Sequence, residues 1–281
     1  MAAPPNVHAE TATLPPVPLT IEGSPVLHQM FRIKWNAWKR LDSARRNEIA
    51  GEAAAVLSNG QTGVYSMLGH KGDLLLVHFR DTFEELNRVE LQMARLDLSE
   101  YLEPATSYLS VVELGLYEST SKVYAGLAAR GIQPHSEEWN KEIEDTLDRQ
   151  REAMRPRLYP EIPASRYICF YPMDRKRGEQ KNWYERPMPE RQRMMREHGL
   201  VGRRYAGQVT QVISGSIGLD DWEWGVTLFA DDPVTFKKLI YEMRFDEVSA
   251  AYALFGSFYV GIRVQPADLT SLLHGELVKP E

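Results

Sequence analysis

The chain has 281 residues, 43% hydrophobic and 26% charged, which is enough apolar mass for one large domain or two smaller ones and excludes a collagen-like or wholly disordered polymer. Its single cysteine, Cys169, excludes an internal disulfide framework and any zinc site built from several thiolates. The net charge of −6 argues against general nucleic-acid binding, but residues 151–205 hold 14 Lys and Arg against 7 Asp and Glu, a net of +7, leaving −13 on the remainder. That segment is suited to receive an anion.

The first 25 residues contain six of the 17 prolines and no Lys or Arg. They lack the basic start and apolar stretch of a signal peptide and read as an extended, disordered tail over 1–27. No window approaches the ~18 consecutive apolar residues of a membrane span, so no membrane span and a cytoplasmic location are expected. His28 to Lys34 reads as a strand and Ser43 to Leu57 as a helix with Ile49, Ala53 and Val56 on one face. Strands at Thr62 to Leu68 and Asp73 to Phe79 follow, joined through Gly69-His70-Lys71-Gly72. Thr82-Phe83-Glu84-Glu85 has the spacing of a capping box and opens a helix carrying Leu86, Val89, Met93 and Leu96, before a strand at Thr106 to Glu113.

The same order returns in the second half. Strand Arg166 to Tyr171 leads to helix Pro189 to His198, ended by Gly199, then to strands Gln208 to Ser214 and Glu223 to Phe229. Asp232-Pro233 opens a helix to Met243, and the last strand is Ser257 to Ile262. Between the halves, Ser136 to Met154 places Trp139, Ile143, Leu147 and Met154 at helical spacing. The expected fold is α+β: two fused ferredoxin-like βαββαβ units over 28–117 and 165–265 forming a dimeric α+β barrel, with a connecting helix and loops over 118–164 and a C-terminal tail over 266–281.

Three residues break the pattern around them. Gln211 shares a strand face with Val209 and Ile213, so its amide either pairs with a neighbouring backbone group or meets a ligand. His198 lies one turn from Met194 and Met195 on the apolar stripe of its helix, as a satisfied core histidine, a cap or a metal ligand. Tyr171 ends a strand before Pro172 and the run Met173-Asp174-Arg175-Lys176-Arg177, setting a phenol beside a basic loop. Cys169 reads as a buried, inert thiol. Arg157, in Arg157-Leu158-Tyr159-Pro160, is a further basic candidate. No Gly-rich phosphate loop, His-Glu-x-x-His pair or serine nucleophile elbow occurs.

The blocks Tyr167-Ile168-Cys169-Phe170-Tyr171-Pro172-Met173-Asp174, Asn182-Trp183-Tyr184, His198-Gly199-Leu200-Val201-Gly202-Arg203 and Asp220-Asp221-Trp222-Glu223-Trp224-Gly225-Val226-Thr227-Leu228-Phe229 closely resemble the coproheme decarboxylases, the hydrogen-peroxide-dependent haem synthases of the chlorite dismutase-like superfamily. The likeness continues through Tyr241-Glu242-Met243-Arg244-Phe245-Asp246-Glu247 and spans residues 28 to 263.

The resemblance implies Fe-coproporphyrin III (coproheme) as substrate and redox centre and hydrogen peroxide as oxidant. Two propionates become vinyls through a three-propionate intermediate and a tyrosyl radical, giving haem b. It further implies a homopentamer and a transient contact with coproporphyrin ferrochelatase. His198 aligns with the axial iron ligand and Tyr171 with the catalytic tyrosine. Arg157, Gln211, Ser249 and the segment Tyr171, Pro172, Met173, Asp174 and Arg175 align with groups that hold substrate. One position departs: the family's lysine four residues after the tyrosine is Arg175 here, with Lys176 next to it, which keeps the charge for a propionate but weakens any proton-donor role. Chlorite dismutases place an arginine over the iron where this chain has Gln211, and a haem carrier or sensor has no need of Tyr171.

Overall fold

The computed structural model describes residues 14–58 and 60–277. Along them run β1 (Thr20–Ile33), α1 (Trp35–Trp38), α2 (Ser43–Leu57), β2 (Thr62–Leu68), β3 (Leu74–Phe79), α3 (Phe83–Arg95), β4 (Leu102–Gly115), α4 (Tyr117–Ala129) and α5 (Glu137–Leu158). The second half holds β5 (Tyr167–Arg175), α6 (Met188–Arg203), β6 (Thr210–Gly215), β7 (Trp224–Ala230), α7 (Val234–Met243), α8 (Glu247–Tyr252), β8 (Ala253–Phe255), β9 (Tyr259–Val264) and α9 (Leu269–Leu273). Helix starts follow local chemistry. Thr82 accepts from the Glu85 amide at 3.2 Å and Glu85 reaches back to the Asp81 amide at 3.2 Å, a reciprocal cap that stabilises by about 1 kcal/mol. Asp42 and Ser136 cap α2 and α5 in the same way.

All strands pair antiparallel, in the order β7-β6-β4-β1-β3-β2-β9-β5-β8, and an added β5–β7 pairing closes the first eight into a barrel. The order β4-β1-β3-β2 in the first half and β6-β7-β5-β9 in the second is that of two ferredoxin-like units. They join edge to edge at two seams, β4 with β6 at Val111 and Gly215, and β2 with β9 from Val64 to Leu68. Closure leaves no free edge in the ring. Alternation sends Val26, Met30, Tyr65, Tyr108, Phe170 and Phe229 inward to one core. The opposite faces pack under helices: Ile33, Leu74 and Leu76 under α2 and α3, and Cys169, Tyr171, Val226 and Leu228 under α6 and α7.

Several expectations are corrected. The tail over 1–27 falls outside the described residues up to 13, but Thr20 to Leu27 belong to β1, with Ile21 and Val26 buried. The linking segment 118–164 holds two helices rather than one, α4 preceding α5. Residues 266–277 are not a tail: α9 buries Leu269 and Leu273 in the first unit, and the Trp38 indole donates to the Leu273 carbonyl at 2.7 Å. Gly199 does not end α6, which runs on to Arg203; an interior glycine costs about 1 kcal/mol, which packing outweighs. Tyr171 does not end β5 either. The strand continues to Arg175 because Asp174 accepts from the Glu223 amide and Glu223 accepts from the Arg175 amide, both at 2.8 Å, so the charged residues are satisfied inside the sheet.

Candidate functional site

Of the residues picked out by sequence, Tyr171 and Arg175 lie on the outer face of the second unit, on β5, and His198 lies on α6, which packs over that face. Helix α6 faces this sheet with the stripe Met195, His198 and Gly202, three to four residues apart. Met195 Sδ receives the Arg175 guanidinium at 3.6 Å. A Cβ at Gly202 would lie 3.9 Å from Gln211 Oε1. His198 lies between these two contacts along the helix.

His198 Nδ1 is held 2.8 Å from Asp246 Oδ2, with Ser249 Oγ at 3.4 Å. Asp246 is the N-cap of α8, its other oxygen accepting from the Ser249 amide at 2.8 Å. Burial pushes the Asp246 carboxyl up, but the hydrogen bonds from His198 and Ser249 outweigh it and hold it below the usual carboxylate range. A proton on Nδ1 fixes the tautomer with its lone pair on Nε2, and a carboxylate behind an imidazole raises its basicity as a ligand. Nε2 pairs with no described residue. A cleft of about 280 Å³ lined by Val201, Arg204, Glu242, Phe245 and Asp246 opens beside the pair.

Tyr171 is 3% exposed, so the phenol is packed and does not flank a loop. Its ring lies 4.6 Å from Phe258 and 5.7 Å from Phe255. Burial pushes the phenol above its ordinary range, Cys169 adding to the push while Arg175 and Arg244 oppose it. Its hydroxyl pairs with no described residue. Cys169, on the same face, is itself pushed up to about 12 by burial, so it is a protonated, inert thiol.

Arg175 shares that face two steps along the strand and is 8% exposed. Its guanidinium lies 5.2 Å from the Trp183 ring centre and 6.0 Å from that of Trp224. It forms no ion pair with any described carboxylate, the nearby Glu223 carboxylate being 3.5 Å from Arg177. Its Nη1 is buried without a partner. Burial lowers its affinity for a proton below the ordinary guanidinium range, opposed by Tyr117, Tyr184, Asp246 and Glu223. A buried cation without its anion is costly by several kcal/mol, which makes Arg175 a candidate anion site.

The other candidates are placed differently. Gln211 is exposed, and its amide is not in the packed core. Met173 packs in the Tyr171 cluster. Pro172 faces the barrel mouth with Phe170 and Trp222, and Asp174 is spent on the Glu223 amide. Lys176 follows the end of β5; its amide donates to the Tyr252 carbonyl, its carbonyl accepts from the Trp183 amide, and its side chain pairs with no described residue. Arg157 is exposed in the last turn of α5 and no contact links it to Tyr171 or His198 among the described residues. Sequence reasoning missed Asp246, Trp183, Trp224 and the Phe255–Phe258 wall. The helix-start pattern Asp246-Glu247-Val248-Ser249 was the available signal for the first; nothing local marks the others.

The α+β barrel carries one carboxylate-backed imidazole on a helix, and no group of three or more His, Cys, Asp and Glu side chains that could hold a metal ion occurs among the described residues. The chlorite dismutase family model matches residues 46–264, and the chain belongs to that family. A Halobacterium salinarum protein whose name proposes heme binding is 43% identical over 270 residues, covering 93% of this chain and 51% of its own length; the chain spans about half of that curated relative. The solved structure of a heme-binding protein from Thermus thermophilus has 38% identity and a TM-score of 0.79, over 93% of this chain and 99% of that one. A chlorite dismutase variant from Candidatus Nitrospira defluvii superposes with a TM-score of 0.65 at 17% identity, over 90% of this chain and 95% of that one, which shows the shared fold.

Proposed function

We propose that the protein binds Fe-coproporphyrin III and, with hydrogen peroxide, decarboxylates two of its propionates to vinyls, forming haem b. Heme binding by the relatives supports the ring, and the donor set fits it. His198, backed by Asp246, would offer the iron of such a ring one neutral imidazole. The observation that carries the decarboxylase reading is the buried Arg175 guanidinium, whose Nη1 has no partner and which pairs with no carboxylate, on the same strand face as the Tyr171 hydroxyl, which pairs with no described residue.

Bound iron would supply the oxidising equivalents from peroxide. The protein's own work is to hold a propionate carboxylate at Arg175 and present its β-carbon to Tyr171. Oxidised by one electron, Tyr171 gives up its phenolic proton and then takes a hydrogen atom from that carbon, which restores the phenol. Loss of carbon dioxide and one further electron leaves the vinyl. Each propionate thus releases two electrons, which reduce one peroxide to two waters, and the balance consumes one proton per propionate. Burial disfavours the tyrosinate, so Tyr171 acts by coupled loss of electron and proton rather than as a general base. Arg175, as a guanidinium, serves as a hydrogen-bonding anchor for the carboxylate rather than as a proton source. Gln211 offers an amide in place of the guanidinium that an oxyanion substrate requires. We assign Arg157, Gln211 and Ser249 as further substrate contacts, and a homopentamer, a cytoplasmic setting and transient contact with coproporphyrin ferrochelatase belong to the same reading.

Tyr171→Phe tests it. The variant should bind iron coproporphyrin III as the unaltered protein does and yield no vinyl product with peroxide. Full turnover by this variant would remove Tyr171 as the reacting group, and absence of turnover in both proteins would favour a heme carrier.

A further inference from the structure

Strand β5 has two partners along one edge. β9 covers Tyr167 to Phe170 and β8 covers Met173 to Arg175. The gap between them falls at Tyr171 and Pro172, and residues 256–258 bridge it as an arch whose two ends, Phe255 and Phe258, are the rings against Tyr171. Inside the arch, the Gly256 amide donates to the Pro172 carbonyl at 2.9 Å. Only glycine fits there, since a Cβ would come 2.8 Å from Pro172 Cγ. The far end is held from the other unit: Lys71, in the β2–β3 loop, donates to the Phe258 carbonyl at 2.6 Å and places its ammonium 5.6 Å from the Tyr259 ring centre. That loop is itself fixed, because Asp73 at its base accepts from the Ile33 amide at 2.7 Å and from the Trp35 indole at 3.3 Å. Its reach extends to the reacting face, where Lys71 opposes the upward push on Cys169.

We infer that Lys71 is a positioning residue for Tyr171: by locking the Phe258 end of the arch it holds the phenol in the orientation from which it reacts. The inference rests on the role proposed for Tyr171. Lys71 acts through Phe258, and it ties the fit of the reacting side chain in the second unit to a loop of the first.

The test uses the full chain labelled with 3-fluorotyrosine, with the Tyr171 fluorine resonance assigned by its loss in Tyr171→Phe. In the protein without porphyrin, Lys71→Met should move the Tyr171 resonance by more than its linewidth as the ring-current field of Phe258 changes, and Lys71→Arg should keep it in place. With iron coproporphyrin III and peroxide, Lys71→Met should lower kcat about tenfold and leave KM within about twofold. A Tyr171 resonance unmoved in Lys71→Met overturns the inference, and so does a moved resonance with unchanged kcat. If the unaltered protein makes no vinyl product, the proposed function fails separately.

Discussion

Asp246 holds the site together at the scale of single residues. One oxygen caps α8 and the other fixes the His198 ring, so helix start and imidazole orientation are set by one carboxylate. Asp246→Asn keeps the cap but replaces the charge behind the imidazole with a neutral amide. Porphyrin affinity should fall about 10- to 100-fold, and the optical spectrum of the bound iron should shift toward a weaker axial ligand. His198→Ala should remove the ligand outright, and an unaltered iron spectrum in that variant would exclude His198. Arg175→Met fills the same space without charge. Because it also removes the cost of an unpaired buried cation, urea unfolding of the porphyrin-free protein should show stability equal to or above that of the parent, while decarboxylation slows. Loss of stability together with unchanged turnover would show Arg175 to be structural.

Much of the element scale was legible. The bounds of α2 follow from apolar periodicity, because it packs one face on a single core, and those of β2 from a run of apolar residues buried on both faces of the sheet. The extension of β5 through Pro172 was not, since proline and four charges read locally as a loop. Pro172 is tolerated because its missing amide falls at the gap between β9 and β8, and Asp174 and Arg175 are tolerated because Glu223, 48 positions after Arg175, completes their hydrogen bonds. Such long-range partners leave no local signature. The same holds for α9, whose five residues have no helical period to read but bury Leu269 and Leu273 beside Trp38. Leu269→Ala should cost about 2–5 kcal/mol in urea unfolding. A change within about 0.5 kcal/mol, the size usual for surface substitutions, would show that α9 is an appendage.

For the whole molecule, barrel closure buries two histidines, His28 and His78, on opposite faces of neighbouring strands. Burial pushes both imidazoles down to about 3; His78 adds to the effect at His28 and Arg80 at His78. The unfolded chain protonates them near 6.5. Between about 6.5 and about 3 the unfolded state therefore binds protons that the folded state does not, so stability is full above that window and is lost as pH falls through it, by about 1.4 kcal/mol per pH unit for each imidazole. Urea midpoints should decline from neutral pH toward about pH 4, less steeply in His78→Asn; a flat profile would contradict the buried neutral pair.

The charge split seen in the sequence also acquires a location. Of the cations in the +7 segment, Arg175 and Arg191 are both buried and without a carboxylate, and Arg175 is the one on the face of Tyr171. If this cation receives a propionate that Tyr171 then oxidises, the mass of the porphyrin during a peroxide titration follows the reaction. Iron coproporphyrin III bound to the unaltered protein should lose one carboxyl group, then a second, passing through the three-propionate species to haem b. A porphyrin that keeps all four propionates while peroxide is consumed would contradict the account.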